Sequence, residues 1–253
     1  MAKDWKGDIV FTDTMNMAIF RGHVSSNDPH SHWASQITIA LEDDLVFKTT
    51  TGEQSSKAVY FPSKTQHQLL SGFICSIYFD PLYESSLKQT LDQKANNGFA
   101  SLSLEELPYE LQQLNATTNL RSLISSEIFH ITSHSGGKDA ESNERLALVI
   151  QEIKSKLSDP EKSDRDTLAN LANLSPSRFS HWFVEQTGVP LRSYKKWLKL
   201  RVAMEAILDG KLPTDAAILA GFYDLAHMSH AFSESFGLTY LDALRTWEQA
   251  NKT

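Results

Sequence analysis

The C-terminal half of the chain contains one small helical unit twice: residues 168–188 recur in altered form at 216–237. In the first part of the unit the offset is 48, so that Ala169, Ala172 and Leu174 match Ala217, Ala220 and Phe222. After the turn the offset is 49, so that Phe179, Phe183 and Gly188 match Met228, Phe232 and Gly237. The second copy therefore has one added residue in its turn. A short helix, a tight turn and a longer helix indicate a helix-turn-helix, and two such units on one chain can enter successive grooves of a DNA duplex.

The apolar positions of the repeat have a packing explanation, because a three-helix unit must bury them and alanine permits close helix approach. Helical arrays also repeat two-helix units, but two copies are fewer than the three or so that such arrays need for stability. A long helix from about Pro190 to Leu208 is predicted between the copies, with Pro190 and Pro213 in first turns, where no amide donor is needed. This linking segment carries a basic cluster suited to phosphate contacts, made of Arg192, Lys195, Lys196, Lys199 and Arg201.

The net charge of −7 argues against nucleic acid if it is taken for the chain as a whole. Residues 1–142 carry 10 Lys and Arg against 17 Asp and Glu, whereas residues 143–253 carry 14 of each. The acidic excess thus lies outside the repeat half, which is neutral with a local basic cluster.

The remaining bulk features exclude several classes. One cysteine, Cys75, cannot form an internal disulfide, which fits a reducing cytoplasm. The N-terminus lacks an apolar signal region, and no run reaches about 18 apolar residues, so neither a signal peptide nor a membrane span is predicted. No Ser/His/Asp arrangement, glycine-rich phosphate loop, CxxC pair or HExxH motif points to an enzyme.

The N-terminal half reads as strands over about 9–80, with turn residues at the spacing of an all-β sandwich or barrel. Helical periodicity follows over about 104–131, with a break at Asn115–Asn119, and this pair can pack on its own barrel or on a second copy in a dimer. We predict an N-terminal domain over 1–135, a polar linker over 136–142 and a helical domain over 143–253. The two helix-turn-helix units are placed at about 166–188 and 214–237.

Function in the repeat falls to the polar residues that begin and line each second helix. Ser175-Pro176 begins the first of these helices and Asp224 caps the second, and Ser-His occurs at the same place in both, at 180–181 and 229–230. Solvated helix residues would also explain that dipeptide. The stretches LANLANLSPSRFSHWFVEQTGVPLRSYKKWLKLRVAMEAIL and AAILAGFYDLAHMSHAFSESFGLT resemble the AraC/XylS family of bacterial transcription regulators. The resemblance covers roughly residues 145–246.

The resemblance implies a DNA-binding domain in which both units sit on one linking helix. It places Ser177, Ser180 and His181 at base edges in one groove, and Ala226, His227 and His230 in the next, with Arg178, Lys195 and Lys196 nearer the phosphates. The chain departs from the family pattern in having Ser180, His181, Ala226 and His230 where relatives often carry Arg or Gln. It also has Thr239-Tyr240 after the final Gly-Leu, where relatives usually have Pro. Because an imidazole cannot copy the bidentate Arg–guanine fork, base readout here depends more on DNA shape.

A second signal lies in HSHWASQ at 30–36 and FPSKTQH at 61–67. His30, His32, Gln36 and His67 follow the order of the cupin pattern His-x-His…Glu…His, with Gln36 in place of the acid. Three uses stay open, namely a polar pocket for a small effector, a divalent metal site on His30, His32 and His67, or histidines hydrogen-bonded inside a barrel. Aromatic pocket walls can come from Trp33, Tyr60, Phe73, Tyr78 and Phe79, although core packing explains most of these equally well.

The expected fold class is α+β, with a cupin-like β-barrel and flanking helices before an all-α domain. The leading hypothesis is a cytoplasmic, non-enzymatic transcription regulator that binds double-stranded DNA, senses a small effector in the cupin domain and forms a homodimer, with RNA polymerase as a partner if it activates. The rival is a metal-dependent cupin enzyme with an accessory helical domain, which a complete three-His-plus-Glu set would have favoured. A module whose repeats bind protein rather than DNA is the third hypothesis.

Overall fold

The computed structural model describes residues 7–11, 17–24, 26–95, 98–130, 140–157 and 164–244. By packing, the chain forms two compact units, one of residues 1–133 with 232–253 and one of residues 134–231. Residues 232–244, which the sequence assigns to the helical domain, therefore belong to the first of these compact units. The predicted linker lies partly outside the described residues, and a helix already begins at Ala140.

The N-terminal unit is built on antiparallel strands. They are β1 (Gly7–Phe11), β2 (Met17–Val24), β3 (Ser35–Ala40), β4 (Leu45–Thr49), β5 (Gly52–Ser56), β6 (Ala58–Phe61), β7 (His67–Phe79) and β8 (Ala100–Leu102). One path runs β1-β2-β7-β3-β6-β8, and β4 pairs with both β5 and β7. The 13-residue β7 thus belongs to two sheets. Its first part, up to Ser71, pairs with β4, whereas Gly72 and the residues after it pair with β2 and β3.

Gly72 marks the change of sheet within β7. Its φ of +148° is disfavoured for other residues, and an added Cβ would lie 3.2 Å from the Ile74 side chain and 3.3 Å from that of Leu45. Glycine inside a strand commonly marks such a bend. The bend lets one strand connect the two sheets.

Strand β3 is buried along its whole length, because its two faces meet different cores. Successive side chains of a strand point to opposite faces. Ile37 and Ile39 lie in a core between the main sheet and the helices, together with Leu87, Leu111, Leu120, Leu123 and Phe129. Gln36, Thr38 and Ala40 point the other way, toward the core formed by Val24, Leu45, Phe47, Val59, Phe61, Leu69 and Ile74.

The predicted helical pair is present in shorter pieces. α2 spans Tyr109–Gln112 and α3 spans Leu120–Ile124, flanked by 3-10 turns at Leu104–Glu106 and Glu127–Phe129. The expected break at 115–119 is observed, and it ends at Asn119, whose side chain caps α3. The buried leucines of these pieces pack on the sheet of their own chain. The sequence reading missed α1 (Ser86–Lys94) and β8.

The helical part contains α4 (Ala140–Ser155), α5 (Arg165–Leu171), α6 (Pro176–Thr187), α7 (Leu191–Leu208), α8 (Pro213–Leu219) and α9 (Leu225–Phe236). The alanines of the repeat are fully buried, as are Phe179 and Phe183, which supports the packing explanation of these positions. In the described part of the chain, no helix has the length and apolarity to cross a membrane.

Candidate DNA-binding surface and histidine cluster

In both helix-turn-helix units, the first helix ends in the same pair of backbone hydrogen bonds. After α5, the amide of Asn173 donates to Asn170 O and that of Leu174 to Ala169 O, over 3.0 and 2.9 Å. After α8, the amides of Gly221 and Phe222 donate to Ile218 O and Ala217 O, both over 2.9 Å. This pair of bonds is the Schellman motif, whose left-handed residue is Asn173 in one unit and Gly221 in the other. The repeat seen in the sequence is thus a repeat of backbone hydrogen bonds.

The helix α6 presents a polar face at its beginning. Ser175 is the N-cap, and its hydroxyl accepts from the Arg178 amide over 3.4 Å, with Pro176 in the first turn. Of the predicted base and phosphate contacts, Ser177, Arg178 and His181 are exposed. Ser180 is half-buried, and its hydroxyl donates to the Pro176 carbonyl over 3.1 Å. Ser180 is therefore less available for a base than its exposed neighbours.

The helix α9 presents a similar face with a stronger cap. Asp224 accepts from the amide of His227 over 2.7 Å. Ala226, His227 and His230 are exposed, opposite the buried Met228. The His227 ring lies edge-on to Phe222 at 5.3 Å, and its Nδ1 accepts from the Tyr223 amide over 3.4 Å. These contacts orient the His227 ring.

The basic cluster of the linking helix has partly structural roles. Lys199 donates to the carbonyl of Gly221 and lies 5.8 Å from the centre of the Phe222 ring, so it ties α7 to the turn of the second unit. Arg201 pairs with Glu205 over 2.8 Å. Burial lowers the pKa of Lys195, with a further contribution from Lys199. Lys195 and Lys196 are half-buried and Arg192 is exposed.

The four residues of the cupin-like pattern come together in the N-terminal unit. His30 and His67 face each other through a pair of 3.0 Å backbone hydrogen bonds, and their ring centres are 4.3 Å apart. His32 lies 5.2 Å from His67, ring centre to ring centre, and all three rings are buried. His30 and His32 precede β3, although the sequence predicts strands throughout about 9–80. We call His30, His32 and His67 the histidine cluster.

Each ring of the cluster has the same tautomer. The Nδ1 atoms lie 3.0, 2.7 and 2.9 Å from the carbonyl oxygens of Asp28, Ala34 and Thr65. A carbonyl can only accept, so Nδ1 carries the hydrogen and Nε2 carries a lone pair in every ring. Burial lowers the pKa of His30 to about 3, with a smaller contribution from His32, and burial lowers the pKa of His32 and His67 as well. The cluster is therefore neutral at pH 7.

The Gln36 side chain completes this arrangement. Its Oε1 lies 3.0 Å from His32 Nε2 and 3.2 Å from His67 Nε2, while its Nε2 donates to Thr38 Oγ1 over 2.7 Å and to Ser76 Oγ over 3.3 Å. In this orientation lone pairs face lone pairs. Either a cation lies among them, or the amide turns round and its NH2 donates to the histidines. The sequence reading missed Thr38 and Ser76, although a polar residue two positions after Gln36 on a buried strand was a signal for Thr38.

The five aromatic residues predicted to line the pocket lie in different parts of the N-terminal unit. Tyr60 and Phe79 belong to the core on the helix side, where the Tyr60 hydroxyl donates to Asp92 over 2.6 Å. Phe73 stacks on His23, and Trp33 lies under Lys64. Tyr78 contacts the cluster, with its ring centre 5.5 Å from that of His32. Core packing is thus the correct explanation for Tyr60 and Phe79.

Two comparisons with known proteins agree with this architecture. Residues 168–245 match the family model described as a helix-turn-helix domain. The fold of nearly the whole chain is similar to that of ToxT from Vibrio cholerae. A 1.65 Å structure of ToxT is 8% identical, with 97% of this chain and 99% of that one covered and a TM-score of 0.52.

Two further ToxT structures from the same organism contain small molecules. One is wild-type ToxT bound to an unsaturated fatty acid, at 10% identity, 95% and 99% coverage and a TM-score of 0.53. The other is bound to (E)-4-(8-methylnaphthalen-1-yl)but-3-enoic acid, at 8% identity, 96% and 99% coverage and a TM-score of 0.50. These likenesses concern the fold.

Residues 168–245 therefore form a helix-turn-helix domain, as the two repeated units predicted. The predicted α+β class, with antiparallel strands before a helical region, is also confirmed.

Proposed function

We propose that this protein is a sequence-specific DNA-binding transcription regulator whose DNA binding changes when a small effector binds its N-terminal unit. The observation that carries the proposal is a pair of units whose first helices end in the same Schellman motif and whose second helices expose different polar residues, inside a domain of helix-turn-helix type. A helix-turn-helix reads DNA with the first residues of its second helix. The bound acids in two ToxT structures support a small-molecule effector.

The contacts are assigned by exposure and chemistry. Ser177 and His181 contact base edges in one segment of the major groove, where Ser180 makes a weaker contact. Ala226, His227 and His230 contact base edges in the next segment. Arg178, Lys195 and Lys196 bind phosphates. Serine hydroxyls and imidazoles make single hydrogen bonds to base edges, and alanine can contact a thymine methyl group. Sequence preference is accordingly spread over several weak contacts and over the shape of the duplex.

Selection of bound duplexes from a random pool tests the regulator directly. A single recovered sequence with two adjacent half-sites is the expected result, and its absence would refute the proposal. His181→Ala and His230→Ala should each reduce the preference for that duplex over a scrambled one by about three- to tenfold, since each loses one base contact. His130→Ala, at an exposed position of the N-terminal unit, is the matched control and should change nothing.

A regulator of this kind acts in the bacterial cytoplasm, and we propose that it does so as a homodimer. If the output is activation, RNA polymerase is the partner.

For the N-terminal unit, we propose the region around the histidine cluster and Gln36 as the effector site. A divalent transition metal is a specific candidate ligand, and the three proton-free Nε2 atoms support it. One ligand atom from each ring lies within 4.8 Å of the others, and the carbonyls on Nδ1 provide the outer hydrogen bonds that metal-binding histidines usually have. Imidazole nitrogens suit Zn²⁺, Ni²⁺, Cu²⁺ and Fe²⁺, with Gln36 Oε1 as a weaker fourth donor.

Titration of chelator-treated protein with Co²⁺ and Zn²⁺ tests the metal. Uptake of one equivalent, lost in His67→Ala and retained in His23→Ala, is expected, because His23 is an exposed histidine of the same unit. Gln36→Glu should tighten binding at least tenfold, since it adds a negative charge beside the ion. Absence of stoichiometric uptake would assign the cluster to a hydrogen-bond network in which the Gln36 amide donates to the rings.

A further inference from the structure

The residue added in the second copy of the repeat is Tyr223. Both units follow the same course through the Schellman turn, to Leu174 in the first and Phe222 in the second. The first chain then goes directly to its N-cap, Ser175. The second inserts Tyr223 before its N-cap, Asp224.

The added side chain contributes little to packing. Phe222 fills the buried position at 5% exposure, whereas Tyr223 is 86% exposed, more than any other large hydrophobic residue in the described part of the chain. Its backbone is nevertheless held, because its amide donates to His227 Nδ1. Within the described part of the chain, the Tyr223 hydroxyl has no hydrogen-bond partner. An exposed tyrosine whose hydroxyl is available to a ligand therefore lies beside the first turn of α9.

That position has a specific meaning on a DNA-binding helix. The first residues of the second helix lie in the major groove, so the residue before its cap lies at the groove edge, where the phosphates are. Tyrosine hydroxyls and backbone amides at helix N-termini are regular donors to phosphate oxygens. We propose that Tyr223 is a phosphate-binding residue, which donates its hydroxyl hydrogen to the DNA backbone at the second half-site and has no counterpart in the first. This inference rests on the proposed DNA binding.

The Tyr223 hydroxyl is a neutral donor, so its contact can be distinguished experimentally from the phosphate contacts of Lys and Arg. Tyr223→Phe removes one hydrogen bond and should weaken binding about three- to tenfold. The loss should be equal on selected and scrambled duplexes, because phosphates carry no sequence information. The salt dependence should stay unchanged, since no cation is removed. Tyr109, 70% exposed on α2, is the matched control, and Tyr109→Phe should bind as wild type.

Anisotropy titrations of full-length wild type, Tyr223→Phe, Tyr223→Ala and Tyr109→Phe at three salt concentrations provide the test, with thermal melting as the folding check. A scan of single methylphosphonates across the second half-site should reveal one phosphate whose neutralisation weakens wild type but does not further weaken Tyr223→Phe. Equal binding by wild type and Tyr223→Phe would overturn the inference alone. A loss seen only in Tyr223→Ala would assign the contact to the ring and also overturn it. A wild type that does not bind duplex DNA would overturn the proposed function and this inference together.

Discussion

The cap of α9 has two effects that a single substitution can separate. The Asp224 carboxylate accepts from the His227 amide over 2.7 Å, so it stabilises the helix, but it also places a negative charge where phosphates should lie. Asn caps a helix about as well as Asp, whereas Ala removes the bond at a cost of about 1 kcal/mol. We therefore expect Asp224→Asn to change the free energy of unfolding by less than about 0.5 kcal/mol, and Asp224→Ala to lower it by about 1–2 kcal/mol, including the charge–dipole interaction.

DNA binding should change in the opposite direction for Asp224→Asn. A unit charge about 8 Å from a phosphate is repelled by about 0.5 kcal/mol in water, which corresponds to an affinity about twofold tighter once the charge is removed. The gain should shrink as salt rises, because the Debye length falls from about 10 Å at 0.1 M to about 3 Å at 1 M.

Denaturant unfolding and duplex titrations at low and high salt measure both effects. Asp164→Asn is the control, because Asp164 caps α5 with the same 2.7 Å bond but lies on the first helix of its unit. If Asp224→Asn destabilised the protein as much as Ala, the cap bond would not be the stabilising interaction. Asp224→Asn should tighten DNA binding at low salt, whereas Asp164→Asn should not. If neither substitution changed the affinity, the start of α9 would not lie near the DNA backbone.

Three further outcomes are expected. Lys196→Ala should weaken binding to every duplex and reduce the salt slope by about one counterion; loss of sequence preference instead would contradict its assignment to a phosphate. Phe183→Ala should lower the free energy of unfolding by about 3–5 kcal/mol, because the ring is fully buried between Phe179 and Tyr194, and Val184→Ala, at an exposed position, should cost far less in the same denaturant titration. The free energy of unfolding of the metal-free protein should fall as pH drops below about 6.5. The pKa values of the histidine cluster are lower in the folded than in the unfolded state, so the unfolded state binds more protons. Each ring that is protonated only on unfolding lowers the free energy of unfolding by up to about 1.4 kcal/mol per pH unit. A flat unfolding profile between pH 7.5 and 5.5 would refute this.

The helical half of the fold was predictable because its signals are local. The units expected at 166–188 and 214–237 correspond to α5 with α6 and to α8 with α9, since Ser175-Pro176, Pro213 and the buried alanines mark ends and faces within a few residues. The helix α1 was missed because only Leu87 and Leu91 face the core, which gives too short an apolar pattern. The 104–131 region was read as longer helices than it forms, because the leucine spacing outweighed the break before Asn119.

The site was predictable in residue identity and not in geometry. The spacing of His30, His32 and His67 was enough to group them, but the shared tautomer follows from carbonyls that only the folded chain brings to Nδ1. Similarly, the sequence predicted Lys199 as a phosphate contact. In the structure its ammonium group donates a hydrogen bond to the carbonyl of Gly221, which is 22 residues away. Long-range partners of this kind leave no periodic trace in a sequence.

The inequality of the two turns has a consequence for the genome that such a protein would act on. A protein whose two helix-turn-helix units differ in their cap and in one tyrosine has no internal two-fold symmetry, so the site that it prefers is not a palindrome and is bound best in one direction. One molecule therefore imposes an orientation on its target, and a pair of molecules is free to bind tandem as well as inverted sites. The orientation of a binding site relative to its promoter would therefore affect regulation.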